Sequence, residues 1–276
     1  MYKIWKNILN QENPLKFLIS KILINLKISK YLIINQKGYK LHFFPSELSR
    51  VLWINPTHPH TASIFFSDYL RPGDTVIDVG SNIGTTTIQS SINVGKTGKV
   101  FSIEPNPTIY EFLLQNIKLN KLKNIKTFNI AAGESDGEVN FSNKISDVMN
   151  KIVDDDSKIK VKMTTIDKLL IDQDIFNLLK IDVIGYEKFV LLGSKNTLKK
   201  TQCVHFPVIN KQYQNFKYSF EEIFKILRES GLQIYEFTND QKIWRVKEEY
   251  IPNNRDLLAI RDISNFITRT NYKLIN

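Results

Sequence analysis

The chain has 276 residues, with 38 Lys+Arg against 28 Asp+Glu for a net charge of +10, and 42% of it is hydrophobic. That apolar fraction excludes a disordered or collagen-like polymer, and the length allows one large or two modest domains with real cores. The single cysteine, Cys203, rules out an internal disulfide and a cysteine-based zinc site, and it fits a reducing, cytoplasmic setting. The four histidines (His42, His58, His60, His205) show no metal-ligand spacing, so no metal is expected. Lysine is spread along the chain, which suits a solubilising surface or an anionic partner. There is no RNP-like aromatic motif and no arginine-rich run, so nucleic acid is not an expected partner.

Residues 1–30 mix large apolar side chains with spaced lysines. Leu15, Leu18, Ile19, Ile22, Leu23 and Leu26 recur at helical spacing, with Lys16, Lys27 and Lys30 elsewhere on the wheel. The stretch Leu15–Leu26 has Lys21 in its middle and falls short of the ~20 apolar residues that span a bilayer. It also lacks the small-residue cleavage site of a secretory signal. Two expectations follow: a helix packed on its own domain, or a basic amphipathic helix in peripheral contact with an anionic membrane. Tyr31–Ile34 and Tyr39–Phe44, around Asn35–Gly38, read as a β-hairpin, and 46–70 as mostly helical with breaks at Pro56 and Pro59. Residues 1–70 thus form an extension on a main domain spanning 71–276.

From Pro72-Gly73 onward strands alternate with helices. Strands are expected at Thr75–Val79, Lys99–Ile103, Ile125–Ile130, Phe176–Val183, Cys203–Val208, Leu232–Phe237 and Leu257–Ile260. Helices are expected at Gly84–Ile92, Pro107–Asn120, Tyr186–Lys199 and Phe220–Ser230. This alternation specifies an α/β, doubly wound, mostly parallel sheet with helices on both faces. Such sheets bind ligands at the carboxyl ends of their strands, near the topological switch.

Strand one ends in Asp78-Val79-Gly80-Ser81-Asn82-Ile83-Gly84, where two glycines allow a tight turn and close backbone approach. Strand two ends in Ile103-Glu104-Pro105-Asn106, placing an acid where it can accept hydrogen bonds from both hydroxyls of a ribose. Together they point to an adenosine-containing ligand. The loop reads G-S-N-I-G rather than the G-x-G-x-x-G that faces a pyrophosphate. Asp78 beside it suits a ligand with a cationic amino-acid portion, which favours S-adenosyl-L-methionine over NAD.

The run from Gly73 to Phe141, the TTIDKLL segment Thr164–Leu170 and the block Lys180-Ile181-Asp182-Val183-Ile184-Gly185-Tyr186-Glu187 resemble the FkbM-type methyltransferases. The resemblance spans about Tyr39 to Ile260. It implies a class I methyltransferase (Rossmann-like) fold with a seven-stranded sheet whose last strand is antiparallel. It also implies S-adenosylmethionine as donor and O-methylation of a hydroxyl on a glycan or small metabolite. Carried over by position, Asp78, Gly80, Ser81, Asn82 and Gly84 form the donor loop, and Glu104, Pro105 and Asn106 the ribose side. Asp182 faces methyl transfer as base or orienting group. Lys180 points to the same side, and Glu187 lies in the first turn of the next helix.

Three carboxylates of that pattern are replaced: Ile184 stands where the family usually has Glu, Pro207 near another, and His58-Pro59 at a third. His58 or His205 is then expected to take over proton handling, and Ile184 to be built into an apolar wall. An alternative reading is a catalytically weak or inactive accessory protein that binds the donor or a carbohydrate. A different nucleotide-using enzyme, including a nucleic-acid methyltransferase, is a third, lowered by the lack of an N/D-P-P-Y/F motif after strand four. The acceptor's identity and the oligomeric state leave no trace in the residues.

Overall fold

The computed structural model describes residues 13–57, 61–142, 152, 159–247, 250 and 254–275. The first twelve residues and His58, Pro59 and His60, on which sequence expectations fell, lie outside the described residues. Helix α1 (Pro14–Asn25) begins with Pro14 in its first turn and Asn13 as its cap, the Asn13 Oδ1 accepting from the Lys16 N–H. A 3-10 turn (Ser29–Tyr31) leads into β1 (Ile33–Gln36) and β2 (Tyr39–His42). Their turn is Lys37-Gly38, with Gly38 at φ 91°. The hairpin's first strand starts later than the sequence suggested because Tyr31 belongs to the 3-10 turn.

Helices α2 (Glu47–Ile54) and α3 (Thr61–Tyr69) precede β3 (Thr75–Val79), α4 (Thr85–Val94), β4 (Lys99–Ile103), α5 (Pro107–Leu119) and β5 (Ile125–Phe128). Next comes a small sheet that the sequence did not disclose: β6 (Ala131–Ala132), β7 (Gly137–Phe141) and β8 (Ile159–Thr164). The chain continues through α6 (Ile166–Leu169), β9 (Phe176–Ile181), α7 (Glu187–Leu192), α8 (Lys195–Lys199) and β10 (Thr201–Val208). It ends with α9 (Asn210–Gln214), α10 (Phe220–Glu229), β11 (Gln233–Phe237), β12 (Lys242–Arg245), β13 (Arg255–Ile260), α11 (Ile263–Arg269) and β14 (Lys273–Leu274).

The main sheet has nine strands in the order β14-β12-β11-β13-β10-β9-β3-β4-β5. From β5 to β11 it is the expected seven-stranded class I arrangement, with β13 antiparallel between β10 and β11. The correction is at the edge, where the short strands β12 and β14 widen the sheet to nine. A second correction concerns the helix expected over Tyr186–Lys199, which is broken into α7 and α8 at Gly193-Ser194. A Cβ on Gly193 would lie 1.9 Å from the Gly133 carbonyl oxygen, so the break lets the small sheet approach. Asp167 restarts the helix, its carboxylate accepting from the N–H groups of Asn196 and Thr197.

Alternation along the strands separates two apolar layers. Ile77, Val79, Leu179, Ile181, Val204 and Phe206 face one side, and Val76, Val100, Leu178, Cys203 and Leu258 the other. A third cluster binds the N-terminal extension to the donor-loop region: Ile34, Leu41, Phe43 and Leu52 pack with Ile83, Ile88 and Ile109, and Leu23 and Ile24 lie against them. Asn116, fully buried on α5, reinforces this joint. Its Oδ1 accepts from the His42 N–H at 2.8 Å and its Nδ2 donates to the Ile83 carbonyl at 2.8 Å. Asn120, one turn on, pairs with both backbone groups of Lys40.

Asn116→Ala leaves a buried N–H and a buried carbonyl without their partner, and should lower unfolding free energy by about 1–3 kcal/mol. Denaturant unfolding checks this; an unchanged midpoint would show that the joint carries no stability.

Candidate active site at the strand ends

Registry across the sheet aligns Ser102 (β4), Asp78 (β3), Lys180 (β9) and His205 (β10) in a single row. All four are buried on the face shared with Val76 and Leu178. Asp78, wholly inaccessible, forms an ion pair with Lys180 at 3.1 Å. The Thr87 hydroxyl donates to the other Asp78 oxygen at 2.6 Å and lies 3.0 Å from the Ser102 hydroxyl. Ser102 reaches Ser81 at 2.7 Å, and Ser81 donates to the Asp78 carbonyl at 2.9 Å. Asp78 and Ser81 therefore hold the donor loop from beneath, their polar atoms engaged with neighbouring residues.

The Lys180 ammonium also donates to the Gly80 carbonyl at 3.2 Å and stands 3.7 Å from an Asp182 oxygen. Burial alone would lower its pKa, but the Asp78 and Asp182 carboxylates more than offset this and hold it above the usual lysine range. Lys180 is thus a fixed cation between Asp78 and Asp182.

The loop itself depends on left-handed backbone at Gly80 (φ 80°), Asn82 (φ 48°) and Gly84 (φ 95°). A Cβ on Gly80 would sit 2.0 Å from the Asp182 carbonyl oxygen, so only glycine lets the loop close on the end of β9. Glu104 clips the loop from the other side. Its Oε2 accepts from the Asn82 N–H at 2.9 Å and its Oε1 from the Asn106 N–H at 2.9 Å. The Asn106 side chain caps α5, accepting from the Thr108 and Ile109 N–H groups. Asn129 Nδ2 donates to the carbonyls of Glu104 and Pro105 and fixes that turn.

Beyond the row, Asp182 has a side chain 56% exposed at the mouth of the site. Glu187 is fully buried; its Oε1 accepts from the Val183 N–H at 3.3 Å, and the Tyr218 hydroxyl lies 3.4 Å from its Oε2. Burial, with Asp182 adding repulsion, pushes its pKa up to about 7 despite nearby backbone N–H groups. It lies deeper than a carboxylate that merely complements a helix dipole. Ile184 does not form the expected apolar wall: it is half-buried, absent from the packed clusters described, and held at φ 54°. A β-branched residue in that region is strained.

His205 sits among Phe65, Phe66 and Phe237, with ring centroids 5.6–6.0 Å away. Burial lowers its pKa below the usual histidine range, against the pull of Asp256. Its Nε2 lies 3.5 Å from an Asp256 oxygen. Asp256 pairs across the strands with Pro207. The Asp256 carboxylate is thus brought beside the Pro207 position from the neighbouring antiparallel strand, which linear motif spacing does not show. A separate cleft of about 810 Å³ between the hairpin turn, α3 and α4 includes Tyr39, Ile64, Thr85 and Gln89, but neither Asp182, Glu187 nor His205 lines it. Among the described residues no acid, histidine and cysteine cluster suits a metal.

Glu104→Ala should weaken donor binding by ~1.5–3 kcal/mol, the scale of hydrogen bonds to a charged group, or roughly 10- to 150-fold in dissociation constant. Calorimetry on the folded variant reads this directly, and an unchanged affinity would place the ribose elsewhere. For Glu187 the folded pKa lies above the unfolded value of 4.5, so its stabilisation is complete below that pH and is lost as pH rises through about 7. His205 acts in the opposite sense, losing stability as pH falls below its unfolded value. The difference between Glu187→Gln and the parent isolates the first effect: the variant should gain relative stability from about pH 4.5 to 8, by on the order of 3 kcal/mol. Parallel melting curves across that range would refute the buried, protonated carboxyl.

Comparison with known proteins follows the same lines. The family described as "Methyltransferase FkbM domain" matches residues 78–234. Protein-L-isoaspartate O-methyltransferase of Caenorhabditis elegans is 28% identical over 101 residues, 36% of this chain and 45% of that protein. Ribosomal protein L11 methyltransferase of Streptococcus pneumoniae is 30% identical over 107 residues, 36% of this chain and 33% of that protein. The chain thus spans less than half the length of these curated relatives. Among solved structures, Methyltransferase FkbM from Methylobacillus flagellatus KT superposes with a TM-score of 0.45 at 15% identity, covering 76% of this chain and 52% of that one. With the family match covering more than half of its length, including the donor loop, Glu104 and the β9 block, the chain belongs to the FkbM methyltransferase family.

Proposed function

We propose that this chain binds S-adenosyl-L-methionine across the Gly80–Gly84 loop and transfers its methyl group to a hydroxyl oxygen of a glycan or small-molecule acceptor. The observation that carries this reading is the Glu104 carboxylate, clamped at the end of β4 by the Asn82 and Asn106 N–H groups. It stands beside a loop that a Cβ at Gly80 would block. The residues fit the donor: a carboxylate for ribose hydroxyls, a glycine backbone for close approach, and no glycine-rich pyrophosphate cradle. One relative is named an O-methyltransferase, in keeping with transfer to oxygen.

The donor supplies an electrophilic methyl on a sulfonium. As the acceptor oxygen forms its bond to that carbon and the carbon–sulfur bond breaks, the hydroxyl proton must leave. Asp182 is the group suited to take or direct it, being exposed and lying at the loop's closest approach to β9. Lys180, a fixed cation, stands 3.7 Å from it. His205 lies one strand further on, buried, its Nε2 3.5 Å from an Asp256 oxygen with no hydrogen bond between them. The accessory reading has less support, because the loop, Glu104 and an open Asp182 are all in place.

Asp182→Asn should lower S-adenosylhomocysteine release with hydroxylated acceptors by ~10²–10⁴, the range of a placed proton acceptor, with donor affinity within about threefold of the parent. Parent-like turnover in that variant would remove Asp182 from the chemistry.

A further inference from the structure

Helix α1 has two apolar faces, and only one is used. Phe17 and Ser20 are buried, and Leu23 and Ile24 join the cluster around Leu52 and Trp53. Apart from Leu23, the residues that the sequence marked as apolar point away: Leu15 is 67% exposed, Ile22 57% and Leu26 62%, with Leu18 and Ile19 exposed as well. At 100° per residue these five share one side of the helix, opposite Phe17 and Ile24. The exposed strip continues through Ile28, Tyr31, Leu32 and Ile33. Among the described residues, nine of the fifteen exposed large hydrophobic side chains lie between Leu15 and Ile33.

Charge frames this strip. From Asn13 to Ser46 the sequence contains six lysines (Lys16, Lys21, Lys27, Lys30, Lys37, Lys40) and no acidic residue. On the α1 wheel Lys16 and Lys21 fall on opposite flanks, between the buried face and the exposed one. Lys21 lies over Phe17 and extends along the apolar body, while Lys16 lies over Trp53 and donates to the Ile54 carbonyl at 3.3 Å. No helix among the described residues is long and apolar enough to cross a membrane. Burial of one face, an exposed apolar strip on the other and flanking cations without acids match a helix lying in the plane of a lipid interface.

We propose that the exposed strip Leu15–Ile33 docks the protein onto the surface of an anionic phospholipid bilayer. The apolar side chains enter the acyl boundary and the lysines meet the headgroup charge. Because Asn116 and Asn120 fasten the hairpin to α5, docking fixes the donor lobe at the interface as well. The opposite α1 face anchors the helix to the domain, so the strip is presented as a rigid surface and not as a tethered arm.

The test is co-sedimentation of the full chain with two vesicles: phosphatidylcholine alone, and phosphatidylcholine with about one-third phosphatidylglycerol. The parent should pellet with the anionic vesicles at low salt and be released at high salt or with neutral lipid. Leu15→Ser/Ile22→Ser/Leu26→Ser, and separately Lys27→Glu/Lys30→Glu, should each reduce binding at least about tenfold while donor affinity by calorimetry stays unchanged. Full-length protein that ignores anionic vesicles at low salt would overturn the proposal, as would variants that bind like the parent. A parent dimer in light scattering that the serine variant splits, without vesicle binding, would instead make the strip a contact between copies of the chain.

Discussion

The buried ion pair between Asp78 and Lys180 is the constraint on which the site depends. It joins β3 to β9 at the point where the sheet's connections diverge, just below the Gly80–Gly84 loop. Two charges out of water are costly, and the pair is tolerable only because each partner is further satisfied. Thr87 donates to Asp78, and Lys180 reaches the Gly80 carbonyl and Asp182. Removing either partner would leave the other charge buried, a loss on the order of 3–5 kcal/mol. One cation thereby ties the Gly80 carbonyl, at the start of the loop, to the strand end at Asp182.

The extension and the donor site form one body. Asn116 reads the backbone of the hairpin with its oxygen and the backbone of the donor loop with its nitrogen. Ile83, inside the loop, packs in the same cluster as Leu41, Phe43 and Leu52. A boundary drawn near residue 70 marks a change of composition, and the packing runs across it. That continuity lets a surface at the N-terminal end bear on where the donor lobe sits.

Much of this was legible in the residues. The parallel strands read as near-continuous apolar runs (TVIDV, KVFSI, FNLLKI) because both faces are covered. The loop and Glu104 followed from glycine spacing and a strand-end acid. What stayed hidden has physical causes. Strand β8 (IKVKMT) alternates with lysine and lies in a small sheet, so it gave no buried-strand signal. Thr87 and Ser102 look like ordinary helix and strand residues until registry brings them to Asp78. Asp256 comes to lie beside Pro207 only through an antiparallel pairing, which motif spacing does not reveal. The expected continuous helix after Tyr186 failed because Gly193 answers to the Gly133 carbonyl and not to helical propensity.

The central claim is that the loop held by Asp78–Lys180 and clipped by Glu104 is shaped for S-adenosylmethionine. Titration calorimetry of the full chain with S-adenosylmethionine, S-adenosylhomocysteine and NAD tests it most directly. Saturable micromolar binding of the first two, with no heat from NAD, is the expected result. Binding of NAD with no response to either sulfur ligand would contradict it.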